Sequence, residues 1–178
     1  MISYYISGCS PDNVTYSIDK LILDFKLRMR SGEEFASGFL LFLSMDLDLV
    51  FESWEVRKIG TFRQQFRFQC PDGSSFWVGV GLNTAGRVGN RVRLEFNPNK
   101  VGRDLSFIRV FNRLQSLAVG PPRFVRLDLA VDVPVLRENI FLLKDRRLYE
   151  EYWLSNINRT QYLGARNKPG RCKLYNKQ

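Results

Sequence analysis

Phe62-Arg-Gln-Gln-Phe-Arg-Phe-Gln69 and Ser75-Phe-Trp-Val-Gly-Val-Gly-Leu82 flank the tetrapeptide Pro71-Asp72-Gly73-Ser74. Two aromatic-rich runs around a Pro-Asp-Gly turn predict a β-hairpin, because glycine supplies the positive φ that reverses the chain. The segments on either side extend the same reading. Upstream, Leu21, Leu23, Phe25 and Leu27 alternate with Ile22, Asp24 and Lys26, the period of a strand. Ser31-Gly32 breaks that run, and Glu33 to Leu43 reads as a short apolar helix with acidic residues in its first turn. Downstream, Asn83 to Asn90 forms a basic loop and Arg91 to Phe96 a further strand, closed by Asn97-Pro98-Asn99.

Asp104 is a suitable N-cap for a helix reaching Ser116, whose Phe107, Val110, Phe111 and Leu114 make one apolar stripe. Pro121-Pro122 stops it. Phe124 to Val133 is a strand, Pro134 opens a helix running to Leu143, and Arg146 to Trp153 is a second helical segment. Gln161 to Gly164 and Arg171 to Lys177 predict another hairpin around Asn167-Lys-Pro-Gly170. Hairpins interleaved with few helices predict an α+β fold, a largely antiparallel twisted sheet with helices packed on one face. With no repeat or linker-like tract, residues 1–178 are expected to form a single domain. The chain stops at Gln178 within continuing structure, which points to a truncated sequence.

Charge narrows the partners. There are 27 Lys and Arg against 18 Asp and Glu, a formal charge of +9 and a pI near 9.7. Such an excess attracts polyanions and speeds their capture, with nucleic acid the common one and an anionic membrane the alternative. The cations recur along the chain rather than forming one tail, so the expectation is a positive face on a folded domain. Met1 to Asn13 lacks a basic segment followed by an apolar one, so no secretory signal is predicted. The longest apolar stretch, near Phe39 to Leu43, is too short to span a bilayer, and a soluble, cytoplasmic protein is expected. Cys9, Cys70 and Cys172 have neither zinc spacing nor a disulfide pattern and read as reduced thiols.

The chain contains no histidine. That excludes Ser-His-Asp and Cys-His catalysis, histidine metal sites, and the His-hydrophobe-His motif of HUH nucleases. Chemistry must come from carboxylates, tyrosine, lysine or cysteine. Three segments offer it. In Arg126-Leu-Asp-Leu-Ala-Val-Asp132, strand periodicity puts Arg126, Asp128, Ala130 and Asp132 on one face. Asp128 and Asp132 are four positions apart on that face, roughly 13 Å at about 3.3 Å per residue, and oxygen ligands of this kind suit Mg²⁺ or Mn²⁺. A half-solvated strand gives the same pattern. Arg93, Glu95 and Asn97 likewise share a face, so Glu95 could join an acidic cluster if the two strands pair with those faces aligned; an exposed charge is the alternative. In Arg171-Cys-Lys-Leu-Tyr-Asn-Lys177, Arg171, Lys173, Tyr175 and Lys177 share a face, where cations favour a phenolate and hold a phosphate nearby. Ordinary packing of a strand tyrosine competes with that reading.

Taken in order, RLDLAVDV (126–133) and TQYLGARNKPGRCKLYNK (160–177) resemble the replication initiation factors of Gram-positive rolling-circle plasmids and related conjugative elements and phages. That family shows an R-x-D-x-A-x-D strand, a helix, then Y-x-G-x-R and a strand ending in Y-x-K, here Arg126/Asp128/Asp132, Tyr162/Gly164/Arg166 and Leu174/Tyr175/Lys177. VRLEFNPNK (92–100) is similar to its preceding strand, so the likeness covers roughly the second half of the chain.

The resemblance implies a metal-dependent nickase without HUH histidines. Tyr175 would be the nucleophile, and Asp128, Asp132 and Glu95 the ligands of a divalent ion, Mg²⁺ or Mn²⁺. Arg126, Arg166, Arg171, Lys173 and Lys177 would contact DNA. It implies origin DNA, single-stranded or extruded, as partner, with a second copy of the chain (a homodimer) and a host helicase as further candidates and no membrane. The family's chain continues into an R-x-E strand that this sequence does not reach, so a ligand or a dimerisation element is expected beyond it. Two other readings stand beside this one. A non-catalytic origin-binding module would use the basic hairpin Phe62 to Leu82 and the loop Asn83 to Arg93, and an RNA-binding sheet would stack bases on Phe66, Phe68, Phe76 and Trp77.

Overall fold

The structure, a computed structural model, describes residues 4–6, 14–28, 50–85, 87–134, 140–142, 151–154, 160–163 and 172–174. They group into two compact units, Tyr16–Ala130 and the combination of Met1–Thr15 with Val131–Gln178. In chain order the strands are β1 (Tyr4–Ile6), β2 (Thr15–Lys26), β3 (Val50–Glu55), β4 (Phe62–Gln69), β5 (Ser75–Thr84), β6 (Arg87–Val88) and β7 (Arg91–Phe96), then β8 (Arg123–Asp132), β9 (Ile140–Leu142), β10 (Glu151–Leu154), β11 (Thr160–Leu163) and β12 (Cys172–Leu174). Two helices, α1 (Pro98–Val101) and α2 (Leu105–Leu117), lie between β7 and β8. The result is the expected α+β fold, a twisted and unclosed sheet with mostly antiparallel pairing.

The larger unit is a sheet of order β3-β4-β5-β7-β2-β8, with β6 beside β5. Its nucleus is the β4–β5 hairpin, in register from Gln69↔Ser75 to Phe62↔Leu82. The turn closes as its residues require. Gly73 takes φ +81°, the Cys70 amide donates to the Ser74 carbonyl at 2.8 Å, and the Asp72 carboxylate accepts the Ser74 amide at 2.8 Å and its hydroxyl at 2.6 Å. Those two donors hold the Asp72 carboxyl below its usual range. The predicted basic loop is in part a tight second hairpin, since Thr84 pairs with Arg87 and Asn83 with Val88.

One face of the sheet is apolar. Leu23 and Phe25 of β2 lie opposite Leu94 and Val92 of β7, and β5 continues the layer with Val80 opposite Val92 and Val78 opposite Leu94. Phe66 and Phe68 of β4 face Val78 and Phe76. Helix α2 covers this layer with Phe107, Val110 and Leu114, spaced to fall on one side of a helix. Its start is set by Asp104, whose carboxylate accepts the Phe107 amide at 2.8 Å. Phe107 meets Phe76 edge to face at 5.2 Å between centroids and packs on Phe96 at 4.7 Å.

In the other unit, β10, β11 and β12 form an antiparallel sheet in that order, and β1 pairs with β9. The expected second hairpin is β11–β12, with Tyr162 opposite Lys173. Two expected helices are corrected. Ile140–Leu142, inside the segment predicted as helical from Pro134, is a strand paired with Tyr4–Ile6, and Glu151–Leu154 is a strand paired with β11 rather than the end of a helix from Arg146. A short segment with a ladder partner gains backbone hydrogen bonds at once, whereas a short helix must first form a costly nucleus. Aromatic residues such as Tyr152 and Trp153 also suit a paired strand. The predicted helix Glu33 to Leu43 lies outside the described residues. Among the described residues no helix is long and apolar enough to cross a membrane.

Gly79, in the centre of β5, shows how tightly the second face is filled. A β-carbon there would stand 2.3 Å from Trp77 Cη2 and 2.7 Å from Phe62 Cγ, because the indole lies across the bare backbone. Gly79→Ala is therefore expected to destabilise the protein by about 1–3 kcal/mol through overpacking. A urea titration checks this; an unchanged midpoint would mean that Trp77 moves aside freely.

Candidate nucleic-acid interface

Burial of the odd-numbered side chains of β2 under α2 turns Lys20, Ile22, Asp24 and Lys26 to the second face of the sheet. Antiparallel register then sets Asp24 directly opposite Arg93, and Ile22 opposite Glu95. On its other side β7 places Glu95 opposite Trp77, and Arg93 opposite Gly79. The missing side chain at Gly79 leaves space for the Trp77 and Phe62 rings, and the Arg93 guanidinium lies 5.2 Å from the Phe62 ring centroid. Phe62 in turn meets Trp77 edge to face at 5.9 Å.

Asp24 is the most constrained charge of this face. It is buried, and both of its oxygens bind Arg93, at 2.6 Å to Nε and 3.0 Å to an Nη, while an Arg123 Nη adds a contact at 3.2 Å. Burial pushes the carboxyl pKa up. The hydrogen bonds and charge of Arg93, joined by Arg123, outweigh that and leave it below the usual aspartate range. Arg93 is held more firmly protonated by the same pair. The sequence reading places Arg93 on a face with Glu95 and at the end of the loop Asn83 to Arg93, and does not single out Asp24 as a site residue. The available signal was an acid inside the apolar alternation Leu21-Ile-Leu-Asp-Phe-Lys-Leu27, which strand period assigns to the face away from the core.

The expected metal ligands fall differently. Arg126, Asp128 and Asp132 do lie on one strand, β8. Arg126 grips Asp128 in a bidentate pair at 2.7 and 2.6 Å, and the pair raises the arginine pKa, with a smaller contribution from the charge of Glu95. Glu95 itself is salt-bridged to Lys20. The condition for Glu95 to join the acids of β8, a pairing of its strand with theirs, is not met, since β2 lies between β7 and β8. The cause is the crossover. At the end of α2, the Val119 amide donates to the Lys26 carbonyl at 2.8 Å and the Arg28 amide to the Leu117 carbonyl at 3.0 Å, which starts β8 at the flank of β2. Among the described residues no three His, Cys, Asp or Glu side chains gather closely enough to hold a metal ion. Asp128 and Asp132 stand four residues apart on β8, roughly 13 Å along a strand, so they do not form a pair and Glu95 does not join them.

Tyr175, Arg166, Arg171 and Lys177 lie outside the described residues; Lys173 is described only as a backbone position of β12. The cations of the larger unit are not gathered on one face as expected. Arg109 and Arg113 are exposed on α2, whereas Arg91 and Arg93 alternate with buried Val92 and so belong to the opposite side. The aromatic platform is also redistributed. Phe66, Phe68 and Phe76 are in the core beneath α2, closed to any base, and Trp77 alone of the four lies on the second face, half-buried.

The Asp24 pair yields a test with a definite sign. A carboxylate with a depressed folded pKa adds stability above its unfolded pKa, about 3.9, and loses it as pH falls through the folded value. Asp24→Asn is expected to flatten the acid limb of the stability–pH curve below about pH 4 and to cost about 2–4 kcal/mol at neutral pH. Denaturant unfolding at several pH values measures both; parallel curves for the two proteins would show that Asp24 does not carry this linkage. No protein-family model matches the chain, and no curated protein matches it in sequence.

Proposed function

We propose that the chain is the DNA-nicking part of a rolling-circle replication initiator. The observation that carries the reading is the order and setting of three motif segments. Arg-x-Asp-x-Ala-x-Asp runs along β8, and the Tyr-x-Gly-x-Arg and Leu-Tyr-x-Lys segments begin at, or follow directly from, the antiparallel strands β11 and β12. The net charge of +9 and the absence of histidine support the same reading.

In this reading Tyr175 Oη attacks a phosphodiester of origin DNA. The bond from Oη to phosphorus forms, the bond from phosphorus to O3′ breaks, and the phenolic proton ends on the departing 3′-hydroxyl. The 5′ end is kept as a phosphotyrosyl ester, and attack by a 3′-hydroxyl reverses the step and rejoins the strand. Asp128 or Asp132 would supply a carboxylate to a divalent ion, Mg²⁺ or Mn²⁺, which would polarise the scissile phosphate when bound. Lys173 and Lys177 neutralise phosphate charge, and Arg126, Arg166 and Arg171 position the strand. One observation favours the non-catalytic alternative, an origin-binding module: Asp128 is already clamped by Arg126, and Glu95 by Lys20.

Covalent trapping separates the two. Tyr175→Phe removes only the phenolic oxygen and is expected to change stability by no more than about 1 kcal/mol. It should abolish a metal-dependent, SDS-resistant DNA adduct, while Tyr162→Phe, the control on β11, retains it. An adduct that persists in Tyr175→Phe would dismiss this tyrosine as nucleophile. Asp128→Ala and Asp132→Ala should lose cleavage and keep binding, and equal loss of both would make these carboxylates structural. Duplex affinity should fall with salt at a log–log slope of about −5, for some six phosphates neutralised.

A further inference from the structure

We propose that the end of the second face of the sheet, where β2 and β7 leave their ladder, is a binding site for a phosphate group held by Lys26, Arg91 and Arg123. No residue that the nicking reading employs takes part in it, so it does not rest on that reading.

Lys26 and Arg91 are the final partners of the β2–β7 ladder and stand directly opposite each other. Buried Phe25 and Leu27 on one strand, and buried Val92 on the other, turn both cations to the face away from α2. Side chains so opposed start about 5 Å apart at Cβ, and like charges in that position repel. Both are exposed, and among the described residues neither has an ion-pair partner. The next pair on the same face is Asp24 with Arg93, which Arg123 joins from β8. That acid is committed, since both of its oxygens bind Arg93. Arg123 spends one Nη on it, at 3.2 Å, and its side chain is 65% exposed, which leaves the rest of the guanidinium to solvent. Four cations therefore surround one carboxylate. Elsewhere on this face the exposed cation Arg67 stands opposite Glu52 in the ladder with β3, so its charge meets an acid there.

The framework and the donors suit this end of the sheet to phosphate. The Val119 amide donates to the Lys26 carbonyl at 2.8 Å and the Leu27 amide to the Asn90 carbonyl at 3.0 Å, so the backbone is fixed and binding orders side chains alone. Arginine forks offer paired N–H donors to two oxygens of one anion, and lysine adds a compact charge. The local excess of positive charge favours a doubly charged tetrahedral oxyanion over chloride or a lone carboxylate. An anion between Lys26 and Arg91 also cancels their repulsion, so binding relieves a cost built into the free protein. A nucleic-acid backbone and a free phosphorylated small molecule both present these oxygens.

Calorimetric titration of the 178-residue chain with sodium pyrophosphate at constant ionic strength tests this. One equivalent should bind with a dissociation constant below ~1 mM. Lys26→Gln with Arg91→Gln should weaken binding at least about tenfold, while Arg67→Gln leaves it unchanged. The same double variant should unfold at a urea concentration equal to or above that of the wild type, because it loses a repulsion and no ion pair. A single-stranded oligothymidylate of about ten nucleotides separates the two sources of the phosphate. A parallel loss of affinity for it in the double variant assigns the site to a nucleic-acid backbone, and an unchanged affinity assigns it to a free phosphorylated molecule. Absence of pyrophosphate binding, a loss matched by Arg67→Gln, or a double variant less stable than the wild type overturns the proposal.

Discussion

Burial of one apolar layer beneath α2 governs everything else in the larger unit. Leu23, Phe25, Val78, Val80, Val92 and Leu94 come from three neighbouring strands and meet Phe107, Val110 and Leu114 of the helix. Because side chains alternate along a strand, fixing that face leaves every intervening residue on the other one, and a slip of one residue would reverse both. Asp24, Arg93, Glu95 and Trp77 stand together because the residues between them are buried.

That second face is a charged layer organised around Asp24 rather than around the acids of β8. A buried carboxylate is tolerated because Arg93 supplies a bidentate partner and Arg123 a further cation. Gly79 is part of the same arrangement, since its bare backbone receives the Trp77 and Phe62 rings, and Arg93 lies over Phe62. Three residue types that look unrelated in sequence thus form one packed unit. Beside it β8 is of a different character. Its polar side is the better covered, with Asp128, Ala130 and Asp132 half-buried, and its leucines face outwards. Among the described residues, none of its side chains joins the core cluster beneath the helix.

Much of the fold was legible because local chemistry and tertiary packing agree there. The Pro-Asp-Gly turn has one economical geometry, the strand Arg91–Phe96 has an unbroken period of two, and Asp104 followed by a stripe at helical spacing has one natural start. Where the sequence was read as helical and strands formed, at Ile140–Leu142 and Glu151–Leu154, the competing partner was distant in the chain or approached from the far side of a loop. Periodicity within a segment carries no information about such partners. The candidate site was legible in part: Arg126, Asp128 and Asp132 share a strand, while the pairing on which a place for Glu95 beside them depends is not formed.

By itself, then, the sequence determined the period of each central strand, the turn and cap that bound them, the positive charge, and the exclusion of histidine chemistry. These depend only on residue type and spacing. The order of strands was decided by tertiary structure alone, because the crossover through α2 ties Val119 to Lys26 and brings β8 against β2. That order separates Glu95 from Asp128 and leaves the leucines of β8 at an edge. A strand cannot encode in its own alternation which strand will lie beside it, since either neighbour satisfies the same hydrogen-bonding groups.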